Sequence, residues 1–269
     1  MLRLGVFAGV LVAMSALEAL FPRKRRVEGR ARRWRTNLAM IGIDTLALRV
    51  FVPVLAVGAA AWAEARGWGL FNLLGWPFWL EAALSLLLLD ALIYAQHVAT
   101  HRVPVLWRLH KVHHTDRDLD ATSGLRFHPV EIVGSMLFKI LVVLALGPAA
   151  VVVVVFEVAL NAFTLFNHAN LALPRRLDRA LRRVLVTPDM HRIHHSVLEA
   201  ETNSNYGFSL SLWDRVFGTY RAEPRDGHAD MALGLAEHQD SRPSGLAWSL
   251  LLPFRSAPSG ERAPTGERA

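Results

Sequence analysis

Cysteine is absent from this chain of 269 residues, and lysine is rare, with three lysines against 27 arginines. The lack of cysteine excludes disulfide bonds, iron–sulfur clusters, thiolate-ligated haem and cysteine zinc sites. Two motifs are missing as well. Residues 97–101 read HVATH rather than the HExxH of zinc proteases, and no GxGxxG dinucleotide loop occurs. Histidine, with twelve copies, remains as the notable candidate metal ligand.

The positive charge lies in one short segment. The net charge is +7, and residues 21–36 contain eight Lys or Arg and one Glu, which accounts for all of it. A single basic block between two apolar stretches is typical of a cytoplasmic loop of a membrane protein. DNA binding is the weaker interpretation because no recognition motif accompanies the block. We therefore expect no nucleic-acid partner.

Long apolar runs dominate the chain, with 52% hydrophobic residues and a mean hydropathy of +0.27. They cover residues 2–21, 38–63, 78–100 and 131–167. The last run is long enough for two spans, broken near Gly147-Pro148. The sequence predicts an all-α, polytopic bundle of about four to five membrane helices. A cleaved signal peptide is the alternative for the first run, but its positive charge would precede the apolar stretch.

The charge pattern also predicts orientation and organisation. The basic block and the Arg-rich residues 174–183 are expected on the cytoplasmic side, so the histidines form a helical cap at that membrane face. We expect three parts: an N-terminal helix and basic loop, a membrane domain with a two-metal site, and a polar C-terminal segment, at 1–37, 38–221 and 222–269. Dominance of Arg over Lys and the lack of an ER-retrieval signal favour a bacterial inner membrane.

Two C-terminal stretches receive separate predictions. Residues 246–254 are too short to span a membrane and are expected to be an interfacial or packing segment. Residues 255–269 are expected to form a disordered tail. Nearer the histidines, a solvated loop is expected to contain Asp116, Asp118 and Asp120.

Ten histidines fall between residues 97 and 195, most of them with the spacing of metal ligands. One i, i+4 pair and two HxxHH sets are present: His97 and His101; His110, His113 and His114; His191, His194 and His195. Positions i and i+4 lie about 6 Å apart on one helix face, so their imidazoles converge on one ion. The last two residues of HxxHH diverge by about 100°, so one set can serve two neighbouring ions. His128 and His168 bring the candidates to ten.

The chemistry of this set favours a redox metal. Packing so many imidazoles without a metal would bury polar nitrogens that lack partners. Neutral imidazoles suit zinc, copper, iron and nickel. Many neutral ligands around two ions favour iron, although a zinc-loaded purified protein is compatible with the same ligands.

Four residues near the histidines are candidates for orienting them. Asp90 and Tyr94 share a helical arc with the first histidine pair, and an acid inside an apolar span is functional by default. A packing hydrogen bond is the alternative for Asp90. Asp189 either orients a neighbouring histidine or caps its helix. Glu131 either contacts a ligand or is a first-turn helix acid.

These motifs resemble the fatty acid hydroxylase / sterol desaturase superfamily of integral-membrane di-iron enzymes. The resemblance covers about residues 90–220 and rests on DALIYAQHVATH (90–101), WRLHKVHH (107–114), RFHPVE (126–131), FNHAN (166–170), TPDMHRIHH (187–195) and NSNYGFSLSLWDRVFGTY (203–220). It implies that the eight clustered histidines are metal ligands and that His168 and His128 are additional ones. Five further residues match a signature whose role is architectural or site-lining: Asn205, Tyr206, Gly207, Trp213 and Asp214.

The resemblance implies an oxidoreductase that uses two irons and O₂ to hydroxylate an unactivated C–H bond of a membrane lipid. Electrons would come from an external ferredoxin- or cytochrome-type donor with an NAD(P)H reductase. A desaturase, or an ether-lipid or carotenoid oxygenase, is the alternative, because the outcome depends on substrate placement. A metal transporter would instead place ligands along a path through the bilayer, and a non-catalytic lipid-binding scaffold would not require a complete ligand set.

Overall fold

A computed structural model describes residues 2–255 of the protein. Within this range, the regular secondary structure consists of helices. The first eight α-helices are α1 Leu2–Leu20, α2 Arg30–Phe51, α3 Ala56–Arg66, α4 Leu70–Leu74, α5 Phe78–Arg102, α6 Pro104–His114, α7 Pro129–Leu146 and α8 Ala150–His168. Shorter helices follow: α9 Arg175–Leu181, α10 Pro188–His194, α11 Glu199–Thr202, α12 Leu212–Val216, α13 Gly227–Asp230 and α14 Leu246–Leu251. The expected tail lies, from residue 256 onward, outside the described residues.

Five segments of the described chain are long and apolar enough to cross a membrane, which confirms the predicted helical bundle. They are Arg3–Leu20, Arg30–Leu74, Phe78–Arg102, Pro129–Leu146 and Ala150–His168. Large apolar side chains on their outer faces are exposed: Val12 of α1 is 69% exposed and Leu141 of α7 is 67% exposed. Such apolar faces are favourable in contact with lipid chains, because these chains are themselves apolar.

The second apolar run differs from the prediction because it is broken. We expected one run over residues 38–63, but α2 ends at Phe51 and α3 begins at Ala56. Pro53 lies in the break; proline lacks the N–H that a continuing helix requires, and it disfavours helical geometry in the residue before it. Alanines line the buried face of α3, which packs against α7 and α8. Small residues allow this close approach of helix backbones.

Helix ends determine where the histidines lie. α5 ends at Arg102 and Pro104 is the first residue of α6, so the chain turns at once from the first histidine pair into the first HxxHH set. The Thr187 hydroxyl caps α10 by accepting a hydrogen bond from the Met190 N–H, and Pro188 follows as its first helical residue. α8 ends on His168 itself.

The acidic loop after α6 is buried, so the expectation of a solvated loop is wrong. Asp116 and Asp118 are each 3% exposed, and Asp120 is fully buried. Arg33 of α2 donates to Asp116 at 2.6 Å and to Asp120 at 2.6 Å. Burial alone would raise the pKa of Asp116, but the Arg33 guanidinium outweighs it and lowers that pKa to about 2. An arginine of the basic block thereby fixes the loop beneath the histidines.

The C-terminal stretch packs against the helix bundle. α14 is followed by a single 3₁₀ turn at Leu252–Phe254. Trp248 and Leu252 pack on Met40 of α2 and Val112 of α6. This contact closes the side of the bundle next to the first HxxHH set.

Candidate metal centre

Nine histidines come together in two buried groups, each with all its ligand nitrogens within 4.8 Å of one another. The first group draws on α5, α6 and α10 and contains His97, His101, His110, His114 and His194. The second draws on α6, α8 and the end of α10 and contains His113, His168, His191 and His195. Each HxxHH set contributes to both groups, as its helical geometry predicts. The first and last histidines of a set, which are four positions apart, lie in the same group, and the histidine between them lies in the other group.

The spacing of nitrogens within the groups matches that of ligands around one ion. In the second group the Nε2 atoms are 3.1 Å apart for His168 and His113, 3.1 Å for His191 and His168, and 3.3 Å for His195 and His191. In the first group those of His114 and His110 are 3.3 Å apart. Two ligand nitrogens about 2.1 Å from a metal, at angles between 90° and 109°, would be about 3.0–3.4 Å apart. The histidines present therefore fit a metal ion in geometry.

Hydrogen bonds to backbone carbonyls fix the orientation of three of the rings. The Nδ1 atom of His97 bonds the Tyr206 carbonyl at 2.7 Å, that of His168 the Thr164 carbonyl at 2.7 Å, and that of His194 the Ser204 carbonyl at 2.8 Å. A carbonyl oxygen only accepts, so these Nδ1 atoms carry the proton and each Nε2 keeps a free lone pair. Backbone carbonyls thus set the tautomer that metal binding requires.

Several imidazole nitrogens are buried without any hydrogen-bond partner among the described residues. They include Nε2 of His97 and of His194 and both ring nitrogens of His101. Burial and neighbouring imidazoles hold the pKa of His191 and of His195 well below 6.5, and burial lowers the pKa of His194 to about 3. These rings are therefore neutral at pH 7, and their lone pairs are available to a metal. Unpartnered buried nitrogens are costly unless something binds them.

The four residues expected to orient ligands fall into two classes. Glu131 accepts a hydrogen bond from Nδ1 of His110 at 2.6 Å and so contacts the first group directly. Asp90 accepts from the Trp213 indole at 2.9 Å, and Tyr94 shares a hydrogen bond of 2.9 Å with Thr219. Asp90 and Tyr94 thus contact the segment that follows α10 rather than a histidine. For Asp90 this is the packing hydrogen bond given as the alternative.

Asp189 lies in an ion-pair cluster. It accepts from Arg23 at 3.0 Å and also pairs with Arg192. Burial would raise the pKa of Asp189, but Arg192 and the charges around it lower that pKa. Thr187, not Asp189, caps α10. Through its ion pair with Arg23, Asp189 thus connects the basic block to α10, the helix that bears the second HxxHH set.

The signature residues build a tight turn beside the histidines. Asp214 is fully buried and accepts from the backbone N–H groups of Tyr206 and Gly207 at 2.8 and 2.9 Å. Asn205 has a φ of 53° and donates to the Met190 carbonyl at 2.9 Å. The Tyr206 ring lies 5.1 Å from that of His101, centroid to centroid. The turn therefore holds the Tyr206 carbonyl against His97 and one aromatic wall against the first group.

His128 lies outside both groups. Its Nδ1 accepts from the Val130 N–H at 3.3 Å and caps α7, and its Nε2 bonds the Leu250 carbonyl at 3.2 Å. Both ring nitrogens are therefore engaged within the protein, and we leave His128 out of the proposed ligand set. His168, the other additional histidine, belongs to the second group.

A cavity of about 360 Å³ borders the first group and lies among α1, α2, α5, α7 and α8. Its walls are mainly apolar, but they include His97, His110, Asp44, Lys139 and Glu157. The volume falls within the usual range of small-molecule pockets, about 300–1,000 Å³. Sequence reasoning missed the last three residues, although charged side chains within apolar runs are the signal that singled out Asp90.

Comparison with known proteins agrees with this geometry. A family model described as fatty acid hydroxylase matches residues 82–219, which include every histidine of both groups. The chain belongs to the fatty acid hydroxylase family. The resemblance found in the histidine motifs is thereby confirmed.

Curated relatives also match the chain. Ornithine lipid hydroxylase OlsE of Rhizobium tropici is 33% identical over 162 residues, which are 59% of this chain and 47% of that protein. Alkylglycerol monooxygenase of Homo sapiens is 29% identical over 54% of this chain and 31% of its own. Cholesterol 25-hydroxylase of Rattus norvegicus is 28% identical over 52% and 47%. The chain thus spans half or less of these relatives' lengths. No solved structure matches the chain.

Proposed function

We propose that this protein is an O₂-dependent di-iron oxygenase of a membrane that hydroxylates an unactivated C–H bond of a lipid. The observation that carries the proposal is the pair of buried histidine groups beside an apolar cavity between membrane helices. The names of the relatives support it, because an ornithine lipid hydroxylase and an alkylglycerol monooxygenase both oxidise lipids. The second name also keeps oxidation of an ether lipid open as the alternative outcome at the same site.

Separate residues of the chain would hold the metal, support its ligands and bind the lipid. The first group would hold one iron and the second group the other, with the Nε2 lone pairs of His97, His168 and His194 directed by their carbonyl partners. Once bound, the two irons would supply O₂ reduction and hydrogen removal from carbon. Glu131 would hold negative charge against His110 and make it a stronger ligand. The apolar cavity would exclude water and hold the lipid chain.

Electrons and topology complete the proposal. The chain lacks cysteine and a GxGxxG loop, so an external ferredoxin- or cytochrome-type donor with its reductase would supply the electrons. We propose that the histidine-bearing side faces the cytoplasm of a bacterium, because the basic block lies on that side. Exposed arginines of residues 22–36 and 174–183 offer an acidic donor a positive surface.

Metal analysis of matched variants tests the proposal. The protein would be purified anaerobically in mild detergent, and iron per chain would be measured for wild type, His110→Ala, His194→Ala and the control His128→Ala. We expect two irons in the wild type, fewer in the first two variants and two in His128→Ala. Iron-loaded protein should then consume O₂ when given reductant and a lipid. A metal content that His110→Ala and His194→Ala leave unchanged would contradict the proposal.

A further inference from the structure

A stripe of polar residues on α2 ends in a carboxylate at the cavity. Arg33, Asn37 and Asp44 are all buried. The first two are satisfied, since Arg33 pairs with Asp116 and Asn37 donates to Thr122 at 3.1 Å. Asp44 is 5% exposed and lines the cavity, and its Oδ1 atom is buried without a hydrogen-bond partner among residues 2–255. An unpartnered acid inside a membrane span is costly and marks a functional position.

The other charges of the cavity do not satisfy Asp44. Lys139 lines the cavity, but its Nζ lies 3.6 Å from Glu157, which also accepts from Arg3 at 3.0 Å. Glu131 uses Oε1 for His110, while its Oε2 atom is buried without a partner in the described chain. Two carboxylates with unused oxygens therefore face one cavity whose lysine is already paired.

We propose that Asp44, together with Glu131, binds a protonated primary amine, so that the lipid substrate carries such an amine in its polar part. This inference rests on the proposed function, because it assigns the headgroup of that same substrate. An ammonium group donates three hydrogen bonds, which match the unused carboxylate oxygens and, being charge-assisted, are stronger than hydrogen bonds between neutral groups. The apolar residues Ile93, Met136 and Leu160 line the space for an alkyl chain. A carboxylate or phosphate in the same place would be repelled by both acids.

Binding of single-chain probes to the purified holoprotein tests the inference. Tritiated hexadecylamine would be bound in detergent and competed with hexadecanol or hexadecanoic acid, which share its chain length. We expect the wild type to bind the amine at least about tenfold more tightly than the alcohol. Asp44→Asn should weaken amine binding by about 10- to 100-fold and leave binding of tritiated hexadecanol unchanged. Asp44→Glu keeps the charge and should keep the preference for the amine.

Glu157→Gln is the matched control, because it removes a carboxylate from the same cavity whose charge Arg3 and Lys139 already neutralise. This variant should keep the amine preference. Equal affinity of the wild type for amine and alcohol would overturn the inference. So would loss of amine binding in Glu157→Gln but not in Asp44→Asn, or loss of both probes in Asp44→Asn.

The assay separates this inference from the proposed function, since binding requires no turnover. An iron-loaded protein that oxidises lipids without preferring amines would overturn the inference and leave the function standing. A protein that prefers amines through Asp44 and oxidises no lipid would support the amine site and contradict the function.

Discussion

Gly124 lies where the 3₁₀ turn at Ala121–Leu125 meets the end of α8, and we expect Gly124→Ala to disturb the second histidine group. A Cβ atom at this position would lie 2.9 Å from both Cγ2 and the backbone oxygen of Thr164, and 3.2 Å from Nδ1 of His168. That same Thr164 oxygen accepts the hydrogen bond from His168 Nδ1 at 2.7 Å. The added methyl group therefore presses on both atoms of the bond that orients a proposed ligand.

The size of the effect follows from these distances. Ordinary contacts begin at 3.4 Å, so the end of α8 has to move by about half an ångström. Overpacking of this kind costs about 1–3 kcal/mol of the free energy of unfolding. His168 is one of four ligands proposed for the second ion, whereas the first group has none from α8. Iron should therefore fall from two per chain toward one, with a melting temperature lower by a few degrees.

Elemental analysis and thermal melting in detergent check this prediction. Gly134→Ala in α7 is the matched control, because a Cβ there meets no atom within 4 Å. It should keep both the iron content and the melting temperature of the wild type. If Gly124→Ala retains two irons and melts with the wild type, the reasoning from the Thr164 contact is refuted.

Three further predictions concern the surroundings of the site. Glu131→Gln keeps the shape but removes the charge that accepts from His110, so metal affinity in chelator competition should fall about 10- to 100-fold. Arg33→Met leaves Asp116 and Asp120 buried without their cation and should cost about 3–5 kcal/mol of unfolding free energy, while Arg32→Met, on the exposed side of α2, should cost little. The ion pair of Arg33 with Asp116 also predicts sensitivity to acid, because it lowers the pKa of Asp116 from 3.8 to about 2. The contribution of Asp116 to the free energy of unfolding is therefore complete above pH 4 and is lost as the pH falls through 2. Melting curves of wild type and Arg33→Met should thus converge below pH 2, and a constant difference between them at all pH values would count against this role.

The sequence alone determined the features that depend on local spacing. Hydropathy over about 20 residues identifies a span, because the bilayer thickness sets its length. The i, i+4 and HxxHH spacings identified the histidine sets, because one helical turn brings such residues to one face. Glu131 was a candidate as an acid that follows His128-Pro129 in the first turn of α7, but its partner His110, 21 positions earlier, is set by the packing of α6 against α7.

The grouping of the histidines depends on the tertiary structure. His168 joins His191 across 23 positions of the chain, and His97 joins His194 across 97, so no spacing rule relates them. His128 has the same chemistry as the others, yet the fold uses both its nitrogens elsewhere. The burial of Asp116 by Arg33 and the place of Asp44 at the cavity are likewise contacts between distant segments. Local sequence sets which face of a helix a side chain occupies, but the partner of that face is set by the packing of the whole bundle.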